Sequence, residues 1–274
     1  DKPFDAYIVF DADNVLEPNY VEEMNRTYSD GYEVITSYRN SKNFGDNWIS
    51  SGYALWFMRE SSWLNRPRMR AGTSCAVSGT GFMFSRKVLD ECGGWNFFLL
   101  TEDIEFTVDN VVNDRKIGYC EHAVLYDEQP TRFKQSFNQR KRWARGYVQV
   151  FGKYGRDMTR SVLHGSFASY DMFMNILPAA FVSIVGIIIN VAGFVVSIVT
   201  RQNTAVVIGS AVGILNSMYL TVFAIGALTT ISEWKRIYAP SWKKILYTFT
   251  FPLFMLTYIP CMLAGVFART VTWK

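Results

Sequence analysis

Two aspartates separated by one residue follow a short apolar run near the start of the chain. Asp11 and Asp13 come directly after the segment 6–10, whose pattern is typical of a buried β-strand. Side chains two residues apart in a strand point to the same side, so both carboxylates can face one ligand. Such a pair suits a hard cation such as Mg²⁺, which takes one or two carboxylates plus phosphate oxygens. The alternative is structural, because Asp is also favoured in turns and at helix N-caps.

A second acidic group opens the predicted helix 101–117, with the sequence Thr101-Glu102-Asp103. Thr101 is suited to cap this helix, and acidic residues are favoured by the dipole at a helix start. That structural interpretation needs no function. The functional interpretation makes Asp103 a general base, because a carboxylate at a helix start can be held rigidly within reach of an attacking hydroxyl.

A third group lies in the predicted helix 131–155. Gln139, Arg142 and Trp143 are spaced i, i+3 and i+4, so they share one helix face. Arginine offers a planar fork for a phosphate, and tryptophan offers a flat apolar plate for a sugar ring. The alternative is an amphipathic helix at a membrane surface, where basic side chains meet anionic lipid headgroups. The basic residues available for that role are Arg140, Lys141 and Arg145.

Strands and helices alternate through the first 160 residues, which indicates a layered α/β domain. The predicted strands are 6–10, 33–38, 75–85 and one within 118–130. The predicted helices are 17–31, 48–64, 86–95, 101–117 and 131–155. Glycines interrupt the third of these strands, in the sequence Ser78-Gly79-Thr80-Gly81.

The last hundred residues contain three stretches without any charged side chain. They are 172–200, 202–232 and 245–268. Each exceeds the length of about 20 residues that crosses a hydrocarbon core, which predicts membrane helices over about 172–200, 204–232 and 245–268. Pro252 and Pro260 lie in the third stretch, which either crosses once or bends as a broken helix.

Basic residues predict the orientation of these membrane helices. The segment 232–244 contains four lysines and arginines, and the α/β domain is also basic near the first stretch. Basic segments favour the cytoplasmic side, so the α/β domain and 232–244 are expected inside and 200–204 outside. The net charge of +4 is too small to indicate a nucleic-acid partner. The four cysteines form no CxxC pair, so the sequence predicts neither a zinc site nor a disulfide framework.

The motifs DAD (11–13), TED (101–103) and QRKRW (139–143) occur in that order and precede the uncharged stretches. Together they resemble the processive family 2 glycosyltransferases, which are the synthases of cellulose, hyaluronan and poly-N-acetylglucosamine. The resemblance covers nearly the whole chain. It implies a partial GT-A-like (Rossmann-like) α/β domain in the cytoplasm over 1–160, followed by an α-helical transmembrane region over 161–274.

The resemblance also implies a role for each motif. Asp11 and Asp13 become ligands of Mg²⁺ or Mn²⁺ and of a nucleotide diphosphate, and Asp103 becomes the catalytic base. The implied substrate-binding residues are Glu102, Gln139, Arg142, Trp143, Ser78, Gly79 and Thr80. The last three resemble the family's acceptor-side loop, for which a tight turn or bulge is the alternative. The terminal segment 270–274 is similar to the start of the loop that gates the active site in such synthases.

The function implied by the resemblance is that of a multi-pass enzyme of the cell membrane. It would transfer a sugar from a UDP-sugar, with UDP-N-acetylglucosamine as the favoured donor, to a growing polysaccharide with inversion, and extrude the polymer. Two alternatives stay open: a non-processive enzyme that glycosylates a lipid, and a non-catalytic membrane protein that binds sugar or metal or partners a synthase. The family's uridine-binding first half does not precede Asp1, so we expect the chain to be part of a longer protein.

Overall fold

A computed structural model describes residues 4–176, 178–200 and 204–268. Its strands are β1 (Ala6–Val9), β2 (Val15–Leu16), β3 (Val34–Ser41), β4 (Phe82–Ser85) and β5 (Ile117–Asp127). They form one five-stranded sheet in the order β1-β4-β3-β5-β2. β3 and β5 are parallel and the other neighbours are antiparallel. The predicted α/β layering is present in this mixed sheet and the helices around it.

The helices of the α/β part are α1 (Tyr20–Ser29), α2 (Trp48–Arg59), α3 (Arg66–Arg70), α4 (Arg86–Glu91), α5 (Glu102–Val112) and α6 (Phe133–Leu163). One π-helical turn, Glu60–Asn65, joins α2 to α3. The later helices are α7 (Phe167–Ile176), α8 (Pro178–Val199), α9 (Thr204–Ser232), α10 (Ser241–Leu256) and α11 (Tyr258–Val266). The predicted helix 131–155 is therefore eight residues too short at its C-terminal end.

The sheet is covered on both faces because neighbouring residues of a strand point in opposite directions. On one face, aromatic rings pack with centroids 5.1 to 6.3 Å apart. These rings belong to Phe82, Phe84, Trp95, Phe97 and Phe106. On the other face, α1 buries Tyr20 and Met24 against Ile35 and Leu125. This two-sided core fixes the strand ends from which the candidate site is built.

The predicted strand 75–85 is shorter in the structure, because only Phe82–Ser85 pairs with neighbouring strands. Gly79 and Gly81 have φ of +72° and +67°, a conformation that strands do not use and that glycine adopts without penalty. A Cβ on Gly81 would also lie 1.8 Å from Leu125 Cδ2. The preceding residues therefore run as a loop beside the sheet.

Helix α6 approaches its neighbours closely where it contains or meets a glycine. A Cβ on Gly146 would lie 2.4 Å from Thr101 Oγ1, at the start of α5. A Cβ on Gly265 of α11 would lie 2.6 Å from the carbonyl oxygen of Lys141. These close approaches hold the QRKRW segment between the start of α5 and the apolar helices.

Arg140 lies inside this packing. Its side chain is 2% exposed, and it donates hydrogen bonds to the Phe254 carbonyl oxygen at 3.1 Å and to Thr257 Oγ1 at 2.9 Å. The membrane-surface interpretation of Arg140 is therefore wrong. The sequence of α6 alone did not show that the end of α10 would cover this residue.

Two described stretches are long and apolar enough to cross a membrane, by length and composition: Val207–Ser232 and Ser241–Val266. The second consists of α10 and α11 with a break at Thr257, and Pro252 lies inside α10. The first predicted span, 172–200, is divided between α7 and α8. The segment 270–274 and most of the predicted outer loop 200–204 lie outside the described residues.

Candidate active site

The three motifs meet at one cavity of about 140 Å³. Asp11, Glu102, Asp103, Gln139, Arg142 and Trp143 line it together with Ser78 and Gly79. We call it the aromatic cavity, because its remaining walls include Trp56, Phe57 and Tyr147. An adjoining cleft of about 350 Å³ is lined by Asp11, Asp13, Asp127 and Glu128, and we call it the acidic cleft. Asp11, Arg39 and Gln139 line both spaces, so the two are continuous.

The acidic cleft brings a third carboxylate to the predicted pair. One carboxylate oxygen from each of Asp11, Asp13 and Asp127 lies within 4.8 Å of the other two. Asp127 ends β5, and β2 pairs antiparallel with β5 directly after the DAD turn, which carries Asp13 beside Asp127. Three clustered carboxylates are a donor set that fits a hard divalent cation such as Mg²⁺ or Mn²⁺.

A hydrogen-bonded chain beneath the DAD turn holds its shape. The Asp11 backbone N–H donates to Thr80 Oγ1 at 2.9 Å, and the Thr80 hydroxyl donates to Asn14 Oδ1. Asn14 Nδ2 in turn donates to Asp127 Oδ1 at 3.3 Å. Thr80 is 2% exposed and lines neither space. The structure thus gives Thr80 a supporting position, whereas Ser78 and Gly79 reach the aromatic cavity.

Arg39, which no motif predicts, joins the acidic cleft to the aromatic cavity. Its Nε donates to Asp127 Oδ2 at 2.9 Å, and its Nη1 donates to the Ser78 carbonyl oxygen at 2.8 Å. The guanidinium carbon also lies 3.7 Å from the ring centroid of Phe57. A lone arginine in strand β3 gives no sequence signal, because only the parallel pairing of β3 with β5 brings it to Asp127.

Asp103 lies in the first turn of α5 and faces the aromatic cavity. Burial raises the pKa of Asp103 to about 7, and the negative charges of Glu102 and Glu60 contribute to this rise, while the backbone N–H groups of Ile104 and Gly79 oppose it. A carboxyl group with a pKa near neutrality is suited to accept a proton during a reaction.

The predicted cap of this helix is wrong. Thr101 stands at the N-cap position of α5, but its side chain makes no capping hydrogen bond. Its Oγ1 is buried without a hydrogen-bond partner among the described residues, and it lies where Gly146 of α6 approaches α5. Packing against α6 therefore takes precedence over capping at this position.

The QRKRW face of α6 closes the aromatic cavity. Trp143 packs edge-on against Tyr53 and Phe57, with ring centroids 5.7 and 6.1 Å apart. Burial lowers the pKa of Arg142, and the carboxylates of Glu102, Asp103 and Asp11 raise it. These influences place the Arg142 guanidinium among the carboxylates of both motifs. Gln139 Oε1 is buried without a hydrogen-bond partner among the described residues, so it is available to a ligand.

Sequence reasoning missed several residues that line the two spaces. Asp127 had a usable signal, since it ends a strand in the same way that Asp11 follows one. Arg39 and Glu60 had none, because each is a single charged residue inside a regular element. The aromatic walls Trp56, Phe57 and Tyr147 were indistinguishable from core residues of amphipathic helices.

Comparisons with known proteins agree with this arrangement. Residues 2–146, more than half of the chain, match the family described as "Glycosyltransferase like family 2". The chain is 32% identical over 78 residues to "Probable glycosyltransferase YdaM" of Bacillus subtilis (strain 168), covering 28% of this chain and 19% of that protein. It is 29% identical over 115 residues to "Beta-monoglucosyldiacylglycerol synthase" of Trichormus variabilis, covering 42% of this chain and 24% of that protein.

A third relative is a UDP-forming cellulose synthase of Dictyostelium discoideum, of which the catalytic polypeptide is 32% identical over 81 residues. These residues cover 30% of this chain and 8% of that protein. The matched part of the chain thus spans a quarter or less of each of these three relatives. The family implies a GT-A-like fold and the transfer of a sugar from a donor to an acceptor. The chain belongs to glycosyltransferase family 2, and the protein is a glycosyltransferase.

Proposed function

We propose that the chain carries the catalytic base and the diphosphate-binding groups of a membrane-bound, inverting β-glycosyltransferase that uses a UDP-sugar. The observation that carries this proposal is the meeting of Asp11, Asp103 and Arg142 at one cavity. Residues 1–160 are the cytoplasmic catalytic part and 161–274 the multi-pass part in the cell membrane. The two apolar stretches Val207–Ser232 and Ser241–Val266 support that division.

In this proposal, Asp103 accepts the proton of an acceptor hydroxyl while that oxygen attacks the anomeric carbon of the donor sugar. The bond from the anomeric carbon to the diphosphate oxygen breaks on the opposite face, so the configuration inverts. Arg142 balances the negative charge that develops on the leaving diphosphate, as a preorganised cation does in a water-poor site. Trp143 supplies the flat apolar surface on which a sugar ring rests.

The acidic cleft would hold Mg²⁺ or Mn²⁺ through Asp11 and Asp13, with Asp127 beside them. When bound, such a cation supplies Lewis-acid neutralisation of the diphosphate. Glu102 and Gln139 contribute hydrogen bonds to the substrates from the walls of the cavity.

We favour UDP-N-acetylglucosamine as the donor, a growing polysaccharide as the acceptor, and extrusion of the polymer along the membrane helices. A second candidate is the transfer of one sugar to a lipid. The similarity to proteins named beta-monoglucosyldiacylglycerol synthase favours it, at 29% identity over 42% of this chain.

Product analysis with the full-length protein separates these two candidates. Membranes containing the protein are incubated with Mn²⁺ and radiolabelled UDP-N-acetylglucosamine or UDP-glucose. We expect UDP release with the first donor and a ladder of polymer lengths. A single chloroform-soluble product supports the lipid acceptor, and the absence of UDP release with both donors contradicts the proposed function.

A further inference from the structure

A second carboxylate, that of Glu60, faces the aromatic cavity from the side opposite α5. Glu60 lines the cavity together with Asp103, and its negative charge raises the pKa of Asp103. It is the first residue of the π-helical turn Glu60–Asn65. Turns of this kind are rare and occur frequently at functional sites.

The π-helical turn explains how Glu60 reaches the cavity. Trp56, Phe57 and Glu60 share one face of the helix and all line the cavity. The wider turn then changes the helix phase, and Asn65 meets the loop before Ser78. Asn65 Oδ1 accepts the Ala76 N–H at 3.0 Å, and Asn65 Nδ2 donates to the Ala76 carbonyl oxygen at 3.1 Å. One turn thus positions both Glu60 and the Ser78–Gly79 wall.

The Glu60 carboxylate is only partly satisfied by the described residues. Ser78 Oγ donates to Glu60 Oε2 at 3.3 Å, and Oε1 accepts no hydrogen bond from a described residue. Arg68 pairs with Asp171 at 2.6 Å and Arg39 with Asp127, so both nearby guanidiniums are engaged elsewhere. A carboxylate held away from water with one oxygen unused is costly unless a further donor completes it.

The shape of the cavity indicates which donor that would be. Its volume of about 140 Å³ is well below the several hundred Å³ typical of drug-sized ligands, so it suits a single small ring. Aromatic rings form part of its wall and carboxylates form another part. This combination suits a pyranose, whose C–H face packs on a ring while its hydroxyls donate to carboxylates.

We propose that Glu60 determines acceptor specificity by accepting a hydrogen bond from the acceptor hydroxyl next to the one that attacks. Glu60 takes this role only if the proposed function holds, because Asp103 must bind the attacking hydroxyl of the same ring. The acceptor would then be a pyranose with two free neighbouring hydroxyls.

The test is a thermodynamic cycle on sugar binding to the full-length protein in detergent, with UDP and Mg²⁺ present. The probes are methyl β-D-glucopyranoside, methyl N-acetyl-β-D-glucosaminide and their monodeoxy analogues, and the readout is the fluorescence of the cavity tryptophans. For the tighter of the two parent sugars, Glu60→Gln is expected to raise Kd about tenfold, since a charge-assisted hydrogen bond becomes a neutral one. One monodeoxy analogue should lose a similar factor with the unsubstituted protein and nothing further with Glu60→Gln.

Equal losses for every analogue in both proteins would overturn the proposal, as would an unchanged Kd in Glu60→Gln or the failure of both parent sugars to bind. Glu60→Asp keeps the charge but withdraws the carboxylate, so weak binding by this variant supports contact and wild-type binding overturns it. Glu22→Gln, on the exposed face of α1, is the matched control. Asp103→Asn should keep the Glu60 coupling while losing sugar transfer, so a failed catalytic base and a failed Glu60 contact give different results.

Discussion

The acidic cleft and the aromatic cavity use the same chemical group in different surroundings. In the acidic cleft, Asp11 and Asp13 are exposed, and Arg39 balances the neighbouring Asp127. In the aromatic cavity, burial and two further carboxylates raise the pKa of Asp103 to about 7. The difference teaches that exposure and nearby cations suit a carboxylate to hold a metal ion, whereas burial among like charges suits it to exchange a proton.

The largest expected effect comes from removing the cation that joins the two spaces. Arg39→Met leaves the buried Asp127 carboxylate and the Ser78 carbonyl oxygen without their donor. We expect the free energy of unfolding to fall by about 3 kcal/mol, as for other broken buried ion pairs. Denaturant unfolding in detergent measures this. Stability equal to the wild type would show that the acidic cleft does not depend on Arg39.

The contact between α5 and α6 should be the next most sensitive feature. In Gly146→Ala, the new Cβ meets Thr101 Oγ1 at 2.4 Å and must push α6 away from Asp103. Overpacking of this kind costs about 1–3 kcal/mol, and we expect UDP release to fall in parallel. Gly152→Ala on the same helix is the control, because its Cβ would have no neighbour within 4 Å. Equal activity of the two variants would contradict a close α5–α6 contact.

Metal affinity should depend on the acidic cleft alone. Asp13→Asn is expected to raise the Kd for Mn²⁺ by about tenfold or more, because even residues that only support a metal ligand contribute about tenfold or more. Titration of the Mn²⁺ paramagnetic resonance signal measures this without any turnover. Asp103→Asn should leave the Kd unchanged. If the two substitutions weakened Mn²⁺ binding equally, the distinction between the two spaces would be lost.

The smallest expected effect is a shift in the pH dependence of activity. Since Asp103 acts as a base when ionised, sugar transfer should rise with pH through a midpoint near 7, the pKa of this carboxyl group. Glu102→Gln removes a negative charge that raises this pKa, so the midpoint of the acidic limb should move to lower pH. Profiles of kcat/KM across the neutral pH range test this, and a midpoint moving upward would contradict the assignment.

The sequence predicted the local parts of this site and missed the parts that topology supplies. Asp11, Asp103 and Arg142 stand in short motifs whose spacing already places them on one strand side or helix face. Arg39 and Glu60 reach the site only through the pairing of β3 with β5 and through a π-helical turn, which periodicity does not reveal.

Two local predictions failed for a related reason. Thr101 was expected to cap α5, but the close approach of Gly146 buries its hydroxyl without a partner among the described residues. Arg140 was expected at a membrane surface, but the end of α10 covers it. In both cases a contact distant in sequence outweighs a preference that the sequence shows locally.

The central claim is that Asp103 acts as the base of sugar transfer at a cavity shared with Asp11 and Arg142. Its most direct test compares UDP-sugar turnover by Asp103→Asn and by Asp90→Asn, an exposed aspartate of α4, in the full-length protein. We expect kcat to fall roughly 10²–10⁴-fold in Asp103→Asn, the usual contribution of a general base, and to stay unchanged in Asp90→Asn. Full turnover by Asp103→Asn would contradict the claim.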